Sequence, residues 1–330
     1  MKASEGLGER KIIEILKNCL EILPEMSVPF GDDVSAYDLG NEKMAVLKTD
    51  MLVDKTDVPP GMNLWQAARK AVVMNISDFA AKGVEPLAIL VSLGLPRNLK
   101  ENQIQEIGEG LNAGAREYDA YIVGGDTNEA SDVVISLSVF GITEKNRLML
   151  RSGARNGDIV GVTGLFGKTS AGLKILLENL KEVPHENHGT LINSVLIPHA
   201  RLEEGLILSR TGAVTSCIDS SDGLAWSLHE LAKTSGVGFL IDSLPIAEEV
   251  EKFCRTNKLD PLELTLYGGE EYELVLTVKP RLWNKAKKAV EKVGGALLPI
   301  GRATFDRKVM LEYDGKKSSI ESRGWEHLRT

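Results

Sequence analysis

Five short acidic motifs carry most of the chemistry this chain offers: Gly31-Asp32-Asp33, Thr49-Asp50, Ser77-Asp78, Gly124-Gly125-Asp126-Thr127 and Asp219-Ser220-Ser221-Asp222-Gly223. Most of them follow a hydrophobic run. One such motif is usually a turn. Five suggest carboxylates gathered in a cleft, where like charges repel unless cations neutralise them. Aspartate oxygens suit a hard cation such as Mg²⁺, and Mg²⁺ in turn prefers phosphate oxygens. The expectation is metal-dependent phosphate chemistry.

Each motif also has a plainer reading. Gly31-Asp32-Asp33 has the composition of a turn. Asp78 interrupts the small apolar pattern of residues 63–82, which is unfavourable inside a protein unless the charge is paired or metal-bound, and ordinary on a helix surface. Asp222 or Ser221 could cap the helix beginning near Leu224, leaving Asp219 free. Asp50 and Asp126 are the stronger candidates, each expected at the carboxyl end of an apolar strand, where α/β folds place ligands. The two glycines before Asp126 would let backbone amides approach a phosphate.

Other patterns carry less. Gly164-Leu165-Phe166-Gly167-Lys168-Thr169-Ser170 imitates a phosphate-binding loop, but Val162 stands where the motif needs glycine, so packing or anion binding at a helix start is expected instead. Gly108 and Gly110 fall inside a predicted helix and make no dinucleotide fingerprint. His185 and His188 have no third ligand and read as solvated, Cys217 as core. Arg151 reads as a phosphate clamp or a surface arginine. The acidic run Gly268–Glu273 reads as a solvated turn, and Trp325 as a ring that packs on the body or stacks on a ligand.

The elements that must position these residues alternate strand and helix, which indicates α/β or α+β layering. Helices are predicted over 9–22, 63–82, 101–118, 168–180, 201–210, 224–234 and 281–293. Strands are predicted over 44–47, 86–93, 120–123 (buried), 133–142, 158–163, 214–218, 237–241, 273–278, 297–303 and 308–313. Residues 181–198 read as a long loop, with Pro184 and Pro198 as breakers. A boundary near 144–157 divides the chain into domains of 1–150 and 151–330, each long enough for a core.

Composition bounds the partners. A net charge of −8 with no basic stripe argues against nucleic acid, and it would repel phosphate substrates unless metals bridge them. No apolar run reaches the ~20 residues that span a bilayer, and residues 1–10 have no signal-peptide core. Three scattered cysteines build neither a disulfide framework nor a zinc site, which favours the reducing cytoplasm.

In this order, and with Asn75-Ile76-Ser77-Asp78, Arg151-Ser152-Gly153 and Gly268-Gly269-Glu270-x-Tyr272-Glu273-Leu274 beside them, the motifs resemble the thiamine-monophosphate kinase family of the aminoimidazole ribonucleotide synthetase-like superfamily. The resemblance runs from Gly31 to about Trp325. It implies a two-domain fold, with N-terminal strands forming a barrel across a homodimer and a C-terminal mixed sheet with helices. It implies ATP-dependent phosphorylation of thiamine monophosphate to thiamine diphosphate with several Mg²⁺ ions. Asp33, Thr49, Asp50, Asp78, Asp126, Asp219 and Asp222 match metal ligands. Gly125, Asp126, Arg151 and Ser221 match ATP contacts, and Asp57, Glu270 and Trp325 stand where the family touches thiamine phosphate. Lys48 departs from the Ser or Thr usual there, and Glu271 from an Asp.

The acceptor is already a phosphate with a second pKa near ~6, so no general base is needed. In-line transfer without a phosphoenzyme is expected, resting on positioning and charge neutralisation. Two alternatives stand beside it: another superfamily enzyme, of the selenophosphate or aminoimidazole ribonucleotide synthetase kind, or a Mg-ATP-binding scaffold without turnover.

Overall fold

A computed structural model describes residues 8–23, 26–178 and 185–328, with the side chains of 185–187 left aside. Expectations that touch residues 1–7, Pro24, residues 179–184 and the His185 ring lie outside the described residues.

The amino-terminal part comprises α1 (Glu9–Cys19), β1 (Ser35–Gly40), β2 (Lys43–Val53), α2 (Asp54–Asp57), α3 (Leu64–Lys82), β3 (Pro86–Leu95), α4 (Glu101–Glu117), β4 (Tyr121–Glu129) and β5 (Val134–Glu144). Its five strands form one sheet in the order β1-β2-β5-β3-β4, antiparallel except for β3 with β4. The small residues of α3 let that helix lie flat on the sheet's inner face, and almost all of it is buried. Asn63 and Gln66 close a capping box at its start, and Gly83 ends it in the left-handed region at φ 64°. α4 packs beside α3 so closely that a Cβ on Gly110 would sit 2.2 Å from the Trp65 carbonyl. Gly110 therefore serves helix contact, whereas a Cβ on Gly108 would meet nothing within 4 Å.

The outer face of the sheet is uncovered. Leu47, Met51, Leu90 and Tyr121 share it by register and are 48–59% exposed. β4 corrects an expectation here. Instead of a short buried strand ending at Val123, it runs on through Gly124-Gly125-Asp126 and is exposed along its length, because it is an edge strand. Asp50 likewise lies within β2 rather than after it.

The carboxyl-terminal part comprises β6 (Ile159–Val162), α5 (Lys168–Glu178), α6 (His185–Leu196), α7 (Leu202–Ser209), β7 (Val214–Asp219), α8 (Leu224–Ser235), β8 (Gly238–Ile241), α9 (Glu248–Asn257), α10 (Pro261–Tyr267), β9 (Leu274–Val278), α11 (Trp283–Lys292), β10 (Leu298–Thr304), β11 (Val309–Tyr313) and β12 (Lys316–Ser319). The strands make a seven-stranded mixed sheet, β12-β11-β8-β10-β6-β9-β7, parallel only between β8 and β11. Neither sheet closes on itself among the described residues. Residues 185–196, expected in a loop, are α6: buried Leu191 and Val195 dock it against Gly172 of α5, and packing overrides weak helix formers.

Two contacts tie the halves to the site. α3 packs on α7 and β7, so one apolar core runs from the first sheet into the second. The segment entering α1 is clasped to residues 326–328: the amides of Gly8 and Glu9 donate to the carbonyls of Leu328 and His327 at 3.2 and 3.1 Å. Arg10 pairs with Glu326 at 3.4 Å and lies 3.2 Å over the Trp226 ring.

Candidate metal and substrate site

Three segments far apart in sequence bring one carboxylate each to a single point. Asp33 comes from the turn before β1, Asp78 from α3, and Asp219 from the end of β7. An oxygen from each lies within 4.8 Å of the other two, and all three residues are buried. Ser77 donates its hydroxyl to Asp219 Oδ2 at 2.7 Å, which locks α3 to β7. Asp50 and Lys48 share the inner face of β2 by strand alternation. Lys48 Nζ lies 2.8 Å from Asp78 Oδ2 and 3.9 Å from Asp50 Oδ2. Asp78 is thus the paired buried carboxylate its helix pattern demanded, and a surface charge is ruled out.

Two further cations hold the other side. Lys82, one helical turn beyond Asp78, is buried with its amine 2.6 Å from Asp32 and 2.7 Å from Asp33, and it donates to the Cys217 carbonyl at 3.0 Å. Arg151 grips Asp33 through Nε at 2.7 Å and through Nη2, donates to the Gly31 carbonyl at 2.9 Å, and reaches Glu230 only at 3.8 Å. Burial alone would raise Asp33, but Arg151 and then Lys82 outweigh it and hold the carboxyl down at about 2. The other two carboxyls go the opposite way. Burial, with Asp33 next, pushes Asp219 up to about 6. Burial raises Asp78 well above the ordinary range despite Lys48. Ionising this pair costs free energy until more positive charge arrives. Buried, converging, oxygen-only donors short of positive charge fit a hard divalent cation.

A second group adjoins the first. Lys70 of α3, almost fully buried, donates to the Asp57 carbonyl at 2.8 Å and to Glu270 Oε1 at 2.5 Å. Asp57 accepts from the Val53 amide at 2.7 Å and stands 3.8 Å from His327 Nε2. The His327 ring meets Trp325 edge-on at 5.8 Å, and Trp325 is 56% exposed. Asp57, Glu270 and Trp325 are therefore brought together through Lys70 and His327. The segment carrying Glu270 hydrogen-bonds to the loop after Asp219: Glu270 and Tyr272 donate their amides to Ser221 and Ser220 at 2.6 and 3.0 Å. Both residues take positive φ, 63° and 54°, a strained backbone that this pairing maintains. Trp325 closes the same loop from the other side, donating to the Asp222 carbonyl at 3.0 Å.

Not every expected residue joins these groups. Thr49 lies on the outer face of β2 and donates its hydroxyl to the Leu137 carbonyl at 2.8 Å. Asp126 pairs in register with Ser92 on that same outer face and is exposed. Gly125 is required by the sheet, since a Cβ there would lie 1.8 Å from the Val91 carbonyl, and no phosphate is needed to explain it. Ser221 is exposed and Asp222 is half-buried, its carboxyl pushed up to about 6 by burial and then Glu9. Neither caps α8, whose N-cap is Gly223 without a side-chain bond.

The phosphate-loop mimic is filled from within. Glu271 Oε1 accepts the amides of Gly167 and Thr169 at 2.6 and 3.2 Å, the place an anion would take at the start of α5. Sequence reasoning passed over Lys70, Lys82 and His327. For Lys82 a signal existed, since a lysine four residues after Asp78 lies on the same helix face.

The AIR synthase related protein N-terminal domain matches residues 31–143, and the corresponding C-terminal domain matches residues 155–314. The chain is 35% identical to a thiamine-monophosphate kinase of Nitrosopumilus maritimus over 98% of this chain and 99% of that one. It is 37% identical to one of Pyrococcus horikoshii over 91% of each. A solved structure of AaThiL complexed with AMPPCP and TMP superposes with a TM-score of 0.85 at 31% identity, covering 99% of both chains.

Proposed function

We propose, for a chain that belongs to the thiamine-monophosphate kinase family within the AIR synthase related proteins, the ATP-dependent phosphorylation of thiamine monophosphate to thiamine diphosphate. The observation that carries this reading is the meeting of Asp33, Asp78 and Asp219 beside the Asp57–Glu270–Trp325 group. Mg²⁺ held by these carboxylates, with Asp50 and Asp222 at their margin, would neutralise the two repelling phosphate groups. The chain's own residues do the positioning. Trp325 stacks on the thiazolium cation, Glu270 receives the pyrimidine end, and Lys70 fixes Glu270 against the Asp57 loop. Arg151 and Ser221 face the nucleotide. The acceptor oxygen is already anionic at neutral pH, so it attacks the γ-phosphorus directly, in line with the departing ADP, and no side chain carries the phosphoryl group.

The uncovered outer face of the first sheet supports a homodimer in which two such sheets bury Leu47, Met51, Leu90 and Tyr121 together as a barrel. Thr49 and Asp126 lie on that face, and in such a dimer they serve a metal or nucleotide at the subunit boundary. Residues 1–150 then supply dimerisation and most carboxylates, and residues 151–330 complete the substrate pocket. A cytoplasmic location is in keeping with this chemistry, and no described helix is long and apolar enough to cross a membrane. Incubation with ATP, Mg²⁺ and thiamine monophosphate should yield ADP and thiamine diphosphate in equal amounts. ATP binding without product would defeat the reading, and label from γ-labelled ATP trapped on the protein would defeat the direct transfer.

A further inference from the structure

Lys48 holds a place that carboxylate chemistry would otherwise give to a metal. Its amine lies 2.8 Å from Asp78 and 3.9 Å from Asp50, between two carboxylates of the acidic cluster. A divalent ion bridging those oxygens would sit about 2.0–2.4 Å from each, in the volume the ammonium fills. The side chain is 19% exposed and rises from the inner face of β2, beneath which α3 carries Asp78. Lys82 and Arg151 serve Asp32 and Asp33 on the other side, so Lys48 is the cation that Asp50 and Asp78 share.

We propose that Lys48 is a built-in monovalent substitute for a divalent ion at the Asp50–Asp78 pair, so that this chain closes one metal position with its own side chain. A divalent ion on the cluster is then held from the Asp33–Asp219 side, and Lys48 bars an ion from bridging Asp50 and Asp78. The inference rests on the metal-bridged reading above. It adds a prediction about the chain alone, since the number of ions held without nucleotide depends on Lys48.

Mn²⁺ serves as the probe, counted on the full-length, nucleotide-free protein by calorimetric titration and by the electron paramagnetic resonance of free ion. Lys48→Met, close in shape and uncharged, should bind one Mn²⁺ per chain more than the parent. Lys48→Arg should keep the parental number. Adding Asp50→Asn to Lys48→Met should lose the extra ion. An equal, non-zero number on the parent and on Lys48→Met overturns the role of Lys48 and leaves the metal reading standing. No Mn²⁺ on any of these proteins overturns both. An extra ion that survives Asp50→Asn also overturns the inference, because the site it fills would lie elsewhere. Circular dichroism confirms that each variant is folded, and Lys48→Gln replaces Lys48→Met if the methionine is not tolerated.

Discussion

Replacing Lys82 by methionine tests whether the acidic cluster is held by internal pairing. The amine is ion-paired to Asp32 Oδ1 and Asp33 Oδ2 at 2.6 and 2.7 Å and donates to the Cys217 carbonyl at 3.0 Å. None of the three side chains is more than 2% exposed among Lys82, Asp32 and Asp33, so water cannot take over. In Lys82→Met, Asp33 keeps Arg151 as its counter-charge. Asp32 keeps two neutral donors, the amides of Asp33 at 2.8 Å and Arg151 at 3.0 Å, and no directly paired cation beyond the more distant charge of Arg151. Removing one partner of a buried pair costs about 3–5 kcal/mol, a large share of a total stability of about 5–15 kcal/mol. Urea unfolding followed by circular dichroism, at pH 7 in EDTA, should show that loss as a lower midpoint with unchanged slope. Adding Asp32→Asn removes the orphaned charge, so the double variant should regain at least about 1.5 kcal/mol relative to additivity. A loss below about 1 kcal/mol for Lys82→Met, or strictly additive losses, would refute the argument that charge pairing holds this corner.

Three further outcomes follow from the geometry. Trp325→Ala should raise KM for thiamine monophosphate about two- to thirtyfold, the equivalent of a 0.5–2 kcal/mol cation–π contact, with KM for ATP unchanged; equal effects on both substrates would exclude stacking. In the metal-free protein Asp33 is held at about 2 rather than 3.8, so its contribution is complete above about pH 5 and lost as pH falls through 2. Acid titration of unfolding free energy should show that loss, about 2 kcal/mol for a shift of this size, and an Asp33→Asn protein should lack it. Met51→Glu, in the middle of the uncovered sheet face, should convert the protein to monomers in sedimentation velocity; an unchanged sedimentation coefficient would place the subunit contact elsewhere.

The helix that carries the site was legible because its signals agree. Residues 64–82 are rich in small residues, begin with a cap at Asn63 and end at Gly83, and Asp78 stood out as the charge that had to be paired. Asp33 and Asp219 joined it as expected. What the residues alone could not convey was which face of a strand each carboxylate takes. Thr49 and Asp50 are adjacent in sequence yet lie on opposite sides of β2, a consequence of its alternation and register against β5. The missing elements have physical reasons too. β1 is a mostly exposed edge strand, and α6 is built from weak helix formers held by α5. α9 offered a readable pattern, with Val250, Phe253 and Cys254 buried on one side of a highly charged helix. The signal at Lys82, four residues after Asp78, competes with a plainer one, since a lysine in the last turn of a helix ordinarily serves the helix dipole.

The clasp between residues 8–10 and 326–328 means that both extremities of the described chain meet beside the ring proposed to receive substrate. The same adjacency lets residues 8 and 328 be joined by a short linker and the chain reopened elsewhere, which would separate covalent continuity from the hydrogen bonds of the clasp.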